Sequence, residues 1–173
     1  MSKIKWEFAD EPVSQEVVHT VGDNLGVKFP NDYIECVAIN NGANAEPRLF
    51  DVENREKVFG TLLSFDENND EFIVSVYNDY KLTLPKELVP IAFDPAGNLI
   101  CFDYKEDKNR PTVVFWEHEN AGEKEMLMRE EGLTEDQVEE LARENVFYIA
   151  CLLQNRSADL CNRKMQSPAL ILI

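Results

Sequence analysis

The sequence predicts an α+β fold in which an antiparallel three-stranded meander is flanked by N-terminal and C-terminal helices. Two observations carry this. Apolar residues recur at helical spacing in residues 13–39 and 132–153, and between them three apolar runs are separated by turn-forming segments. The length of 173 residues suits one domain. A hydrophobic content of 44% fills one core and is too high for a chain disordered throughout.

The elements follow in order. Val17, Val18, Val21 and Leu25 share one helical face, and Gly26 stops that helix. Pro30 opens a second helix as a first-turn proline, with Asp32 near its positive end and Tyr33, Ile34, Val37 and Ala38 turned inward. Asn40-Asn41-Gly42 ends it, the glycine acting as a cap. Residues 48–66 change period: RLFDV and KVFGTLLSF read as strands around the charged turn ENRE. Ile73, Val76, Tyr77 and Tyr80 restore helical spacing behind a cap at Asn69 or Asp70, although the β-branched Ile73, Val74 and Val76 favour a strand. The meander covers LVPIAF, NLICFDY and TVVFWEHE, with Pro95 and Gly97 turning the first connection. Alternation places Leu99, Cys101 and Asp103 on one face and Ile100, Phe102 and Tyr104 on the other, so one face is expected under helices and the other partly wet, with Asp103 meeting water at its end. Residues 132–153 carry the strongest helix signal: Thr134 and Gln137 form a capping box, Val138, Leu141 and Ala142 an apolar face, and Val146 to Leu153 a buried second half. The folded unit is read as 1–153. The tail 154–173, ending in Ala169–Ile173, reads as an edge strand, a self-association segment or an appended remnant and stays out of the fold.

Charge narrows the function. Seventeen basic against 33 acidic residues give a net −16, which argues against direct binding of nucleic acid or a membrane surface and favours a basic partner. No run reaches the roughly 18 apolar residues of a membrane helix, and MSKIKWEFAD lacks the apolar core of a signal peptide, so a cytoplasmic location is expected. Cys36, Cys101, Cys151 and Cys161 show no metal or redox spacing and read as reduced thiols.

No catalytic or cofactor motif appears. His19 and His118 lack a neighbouring nucleophile, and strand alternation sends His118 away from Glu117 and Glu119, which disfavours a shared metal. Residues 66–71 imitate a calcium loop without its glycine or terminal glutamate, and read as an acidic entry to a helix. Residues 117–144 hold eleven acidic and three basic residues, a net −8. A solvated helix face explains that run, and a basic partner would turn its self-repulsion into attraction. The candidate partner-binding residues are Asp94, Asp103, Glu117 and Glu119 at one exposed end of the meander, with Asp66, Glu67 and Asp70 beside it. No catalytic residue, metal or cofactor is expected.

Taken in order, Pro30 and Tyr33, Asn41 and Gly42, Pro90 to Ala92, Gly97 and Asn98, and Val113 and Val114 resemble the pattern of the SUKH superfamily of Smi/Knr-type regulators and bacterial immunity proteins. The resemblance spans roughly residues 13–153. It implies a mostly antiparallel sheet flanked by helices, no catalytic apparatus, and an immunity protein that neutralises a cognate basic toxin domain, often a nuclease. A regulatory or scaffolding module of the Smi/Knr kind is the alternative, and a small hydrolase using His118 as base is a third class. A homo-oligomer is compatible with each.

Overall fold

The computed structural model describes residues 5–46 and 48–150. Cys151, Cys161, the last three residues of the expected C-terminal helix and the tail 154–173 lie outside the described residues. The chain opens with strand β1 (Lys5–Glu7), which the sequence reading did not anticipate. Helix α1 (Gln15–Leu25) starts at Ser14, whose hydroxyl accepts the Val17 N–H, and ends at Gly26 with φ 72°. Its buried arc is centred on Val18, Val21 and Gly22, so Val17, expected inside, is left 39% exposed at the margin. Helix α2 (Asn31–Ile39) takes Pro30 as its cap rather than in its first turn; the fixed φ of proline and its missing N–H suit either position. Tyr33, Ile34, Val37 and Ala38 are buried as expected, joined by Cys36.

Strands β2 (Asn44–Glu46), β3 (Leu49–Val52), β4 (Arg55–Val58) and β5 (Thr61–Leu62) make a bent ribbon. Its turn lies within the expected charged segment, at Glu53 and Asn54, with φ of 48° and 64° and Val52 paired to Arg55. Two left-handed residues at a two-residue loop match the right-handed twist of the flanking strands. Helix α3 (Ile73–Tyr80) forms despite its β-branched residues. Its cap is Phe72 and not Asn69 or Asp70; the Asn69 carboxamide oxygen instead accepts the Glu71 N–H, and Ile73 N–H is held by the Ser64 carbonyl.

The meander is β6 (Leu88–Phe93), β7 (Leu99–Asp103) and β8 (Thr112–Trp116), all antiparallel. Its register shifts between Pro90 and Ala92, and this irregularity accommodates a proline without a ladder N–H inside the sheet. Gly97 turns the first connection with φ 86°. Helix α4 (Lys124–Glu131), which sequence patterning missed, has no buried residue and stops at Gly132. Helix α5 (Glu135–Arg143) has the expected Thr134 to Gln137 capping box. The expectation that it continues to Leu153 is overturned: after Asn145 the chain becomes strand β9 (Val146–Ala150), pairing Val146 with Trp116 and Tyr148 with Val114. The edge of β8 offers unpaired backbone groups, and the β-branched and aromatic side chains of this segment suit a sheet.

The described strands form one sheet in the order β1-β2-β5-β6-β7-β8-β9-β3-β4, antiparallel throughout. Strands β4 and β5 stand six positions apart, about 29 Å in a flat sheet, yet three peptide steps reach only about 11 Å. The sheet therefore curls until β4 comes round to β5 across the bent ribbon. At the bend Phe59 N–H donates to the Arg48 carbonyl at 2.6 Å and Gly60 N–H to the Phe93 carbonyl at 3.0 Å. A Cβ on Gly60 would sit 2.4 Å from that carbonyl, so only glycine permits the approach.

One sheet face packs Ile91, Ile100, Phe102 and Phe115 against Val18, Phe29 and Tyr33. The other buries Leu84, Leu88, Leu99, Cys101, Val114 and Trp116, with Val76 and Tyr80 of α3 packed on them. The expected half-wet face is thus corrected, because α3 and the segment behind it cover it. Asp103 is 8% exposed. Cys36 and Cys101 are free and buried, and burial pushes both thiols above their ordinary range. No helix among the described residues is long and apolar enough to cross a membrane.

Candidate functional site

Register divides the seven predicted residues between two ends of the sheet. Leu99 pairs with Trp116, so Asp94, Glu117 and Glu119 share one end, whereas Asp103 pairs with Leu88 at the other. Thr61 pairs with Phe93, so the chain leaving β5 runs toward the Leu88 end and carries Asp66, Glu67 and Asp70 with it. The expectation of one continuous acidic edge is corrected by this antiparallel register.

At the first end the carboxylates are largely occupied. Asp94 is 5% exposed and accepts the Ala96 N–H at 2.9 Å, the Asn98 N–H at 2.8 Å and the Asn98 side-chain amide at 2.9 Å. That fixes the Asn98 carboxamide, whose oxygen accepts the His118 backbone N–H at 3.1 Å and the Nδ1–H of its ring at 2.9 Å. His118 thereby fastens the Asp94 to Asn98 turn to the end of β8. Glu117 pairs with Lys57 at 2.8 Å and Arg55 at 3.3 Å, cations that also lie over the Phe115 and Phe147 rings. It clamps the β3–β4 hairpin to the sheet. Glu119 is exposed and makes no ion pair among the described residues. At the second end Asp103 is held by Arg143, which also reaches Glu87 at 2.6 Å. Burial pushes the Glu87 carboxyl up, but the hydrogen bond and charge of Arg143, together with a backbone hydrogen bond and the charge of Lys105, more than offset this and leave it below its ordinary value. The acidic run 117–144 is also partly neutralised, by Lys124 on Glu139, Lys86 on Glu135 and Arg129 on Glu130.

The carboxylates at the Asp66 loop are different. They rim a cleft of about 720 Å³ between the segment before α1, the outer side of α1 and the loop 65–72. Asp10 and Glu11 stand on one rim and Asp66 and Glu67 on the other, with no lysine, arginine or histidine in the lining. None of the four makes an ion pair among the described residues. Val13, Val17 and Phe72 supply apolar surface between them, over the buried Phe65. Asp70 is exposed nearby; with Asp10 and the larger effect of burial it raises the Glu71 carboxyl above its ordinary range. Asp66 is lowered by the backbone N–H and then the side-chain amide of Asn68, so it stays charged.

Asn41 holds the cleft together. It is 1% exposed; its carboxamide oxygen accepts the Phe65 N–H at 2.8 Å, its amide donates to the Glu11 carbonyl at 3.3 Å, and its own carbonyl accepts the Asp10 N–H at 2.8 Å. Gly42 beside it leaves room for Asp10, since a Cβ there would sit 2.5 Å from that carboxylate. A second tie crosses the rim, where the Asn69 amide donates to Asp10 at 2.8 Å. Sequence reasoning found Asp66 and Glu67 but missed Asp10, Glu11 and the part played by Asn41. Locally Asn41-Gly42 reads as a helix stop, and the bonds that give it a further part join segments 24 and 30 positions away.

A curled antiparallel sheet with helices on both faces, and a cleft whose carboxylates make no ion pair among the described residues, define an acidic α+β domain. The chain belongs to the SMI1 / KNR4 family (SUKH-1), whose model matches residues 12–142. That family has a protein-binding character. No curated protein matches the chain. The matched range contains Asn41-Gly42, the Pro90 to Ala92 irregularity and the Gly97-Asn98 turn, so the motifs behind the resemblance are the hinges and ties of this fold.

Proposed function

We propose that this chain is an immunity protein that binds a cognate basic toxin domain, a nuclease, one to one in the cytoplasm and covers its active or substrate-binding surface without catalysing a reaction. The proposed folded unit is residues 1–153, with 154–173 as a tail. The observation that carries the reading is the cleft rimmed by four carboxylates without a basic side chain, in a chain of net charge −16. A nuclease is positively charged where it holds phosphates, so such a surface competes for the same groups. Family membership supports a binding role rather than a reaction.

Its test is titration of a purified basic nuclease domain encoded beside this chain's gene, with plasmid DNA and total RNA as substrates. The expected result is a linear loss of nuclease activity that ends at one equivalent. Full nuclease activity in a saturated complex would overturn neutralisation and leave the regulatory module as the better account.

A further inference from the structure

Resting on the basic-partner reading above, we infer that the cleft is a docking groove for an extended segment that alternates lysine or arginine with aliphatic residues, rather than for a flat basic face. Charge complementarity names the occupant. Asp10 and Glu11 face Asp66 and Glu67 across the opening, and no basic side chain lines it. An inserted cation meets carboxylates from both lining segments, so their attractions add.

The floor adds the second requirement. Val17 is 39% exposed on the α1 wall, and Val13 and Phe72 stand beside it. An extended chain can follow this floor, because it sends successive side chains to opposite sides, aliphatic groups downward and cations up toward the rims. The walls are set before binding, because Asn41 ties the Glu11 segment and the Phe65 loop to one point and the Asn69 to Asp10 bond fixes the rim. A preformed groove loses little entropy on docking.

The experiment uses the full chain, labelled with nitrogen-15, and three capped hexapeptides as probes: Gly-Lys-Leu-Lys-Leu-Gly, the same with both leucines changed to serine, and the same with both lysines changed to glutamate. The expected result is saturable amide shifts centred on Val13, Val17, Phe65 and Phe72 for the first peptide, roughly tenfold weaker binding for the serine peptide, as expected for burying at least one leucine, and no shifts for the glutamate peptide. Val17→Ser with Glu67→Gln changes two side chains outside the core, and in this variant the first peptide should lose its binding while the melting curve stays put. Equal binding of the leucine and serine peptides, or shifts centred on α4 and α5, would overturn the groove. A basic nuclease bound at full strength by the variant would likewise overturn it while leaving the basic-partner reading standing. Peptide binding as expected, alongside failure of any basic protein to bind the chain, would support the groove and remove that reading.

Discussion

Replacing Asn41 by alanine removes the side chain on which the cleft converges. The Phe65 N–H, bonded at 2.8 Å in a buried setting, loses its acceptor, and an unsatisfied buried amide costs about 1–3 kcal/mol. The longer bond to the Glu11 carbonyl, 3.3 Å at the rim, adds about 0.5 kcal/mol because water can replace it. Asn41→Ala should therefore lose about 2–3 kcal/mol, read by urea denaturation followed through the fluorescence of Trp6 and Trp116. Asn40→Ala supplies the comparison: the Asn40 amide serves only its own helix, through the Cys36 carbonyl and thiol, so its loss should stay below about 1 kcal/mol. Amide exchange at Phe65 should accelerate in the Asn41 variant and not in the Asn40 variant. A stability change under about 0.5 kcal/mol, with Phe65 still protected, would refute the assignment of Asn41 as the tie between the two walls.

Other consequences can be measured on the free protein. Glu117→Ala should destabilise the domain by about 1–2 kcal/mol by unpairing Lys57 and Arg55, and Glu119→Ala by less than about 0.5 kcal/mol; equal losses in urea melts would contradict the clamp. Asn54→Gly should stabilise the β3–β4 hairpin by about 0.5 kcal/mol, since glycine adopts the positive φ of 64° without strain, and a lowered denaturation midpoint would argue against that turn. Burial, Asp10 and Asp70 raise the folded-state value of Glu71 above its ordinary 4.5, so the folded protein holds this proton to higher pH than the unfolded chain and loses stability as pH rises through the raised value. Glu71→Gln should accordingly gain on the wild type as pH climbs above 4.5, and a difference independent of pH would exclude the crowding of carboxylates as its cause.

What the sequence made legible were the features decided locally. Gly26, the Thr134 to Gln137 box and the spacing of Val18, Val21 and Leu25 specify helices through contacts within a few residues, and Pro95 with Gly97 specifies a turn in the same way. Strand β9 was hidden because Val146 to Ala150 suit a buried helix by periodicity, and only the open edge of β8 decides otherwise. The strands β1 and β2 are three residues each, too short to show alternation. The acidic residues were counted correctly and grouped wrongly: the placement of Asp103 at the far end of the sheet from Asp94 is a matter of register, and the capture of Glu117 by Lys57 joins residues 60 positions apart. Asp10 and Glu11 are fixed at the cleft by the long-range bonds of Asn41 and Asn69, which no local pattern contains.

The central claim is that a basic partner is held in the cleft rather than attracted diffusely by the net charge. The most direct measurement is stopped-flow association and dissociation with the cognate nuclease domain across a salt series, comparing Glu11→Lys with Glu67→Lys against Glu130→Lys with Glu131→Lys, which change the total charge equally. The cleft pair should accelerate dissociation and cost several kcal/mol of affinity, as severed interface charge pairs do, while the α4 pair should mainly slow association at low salt, a difference screened over about 8 Å at physiological ionic strength. Equal effects of the two pairs on association, with dissociation unchanged in both, would contradict the account.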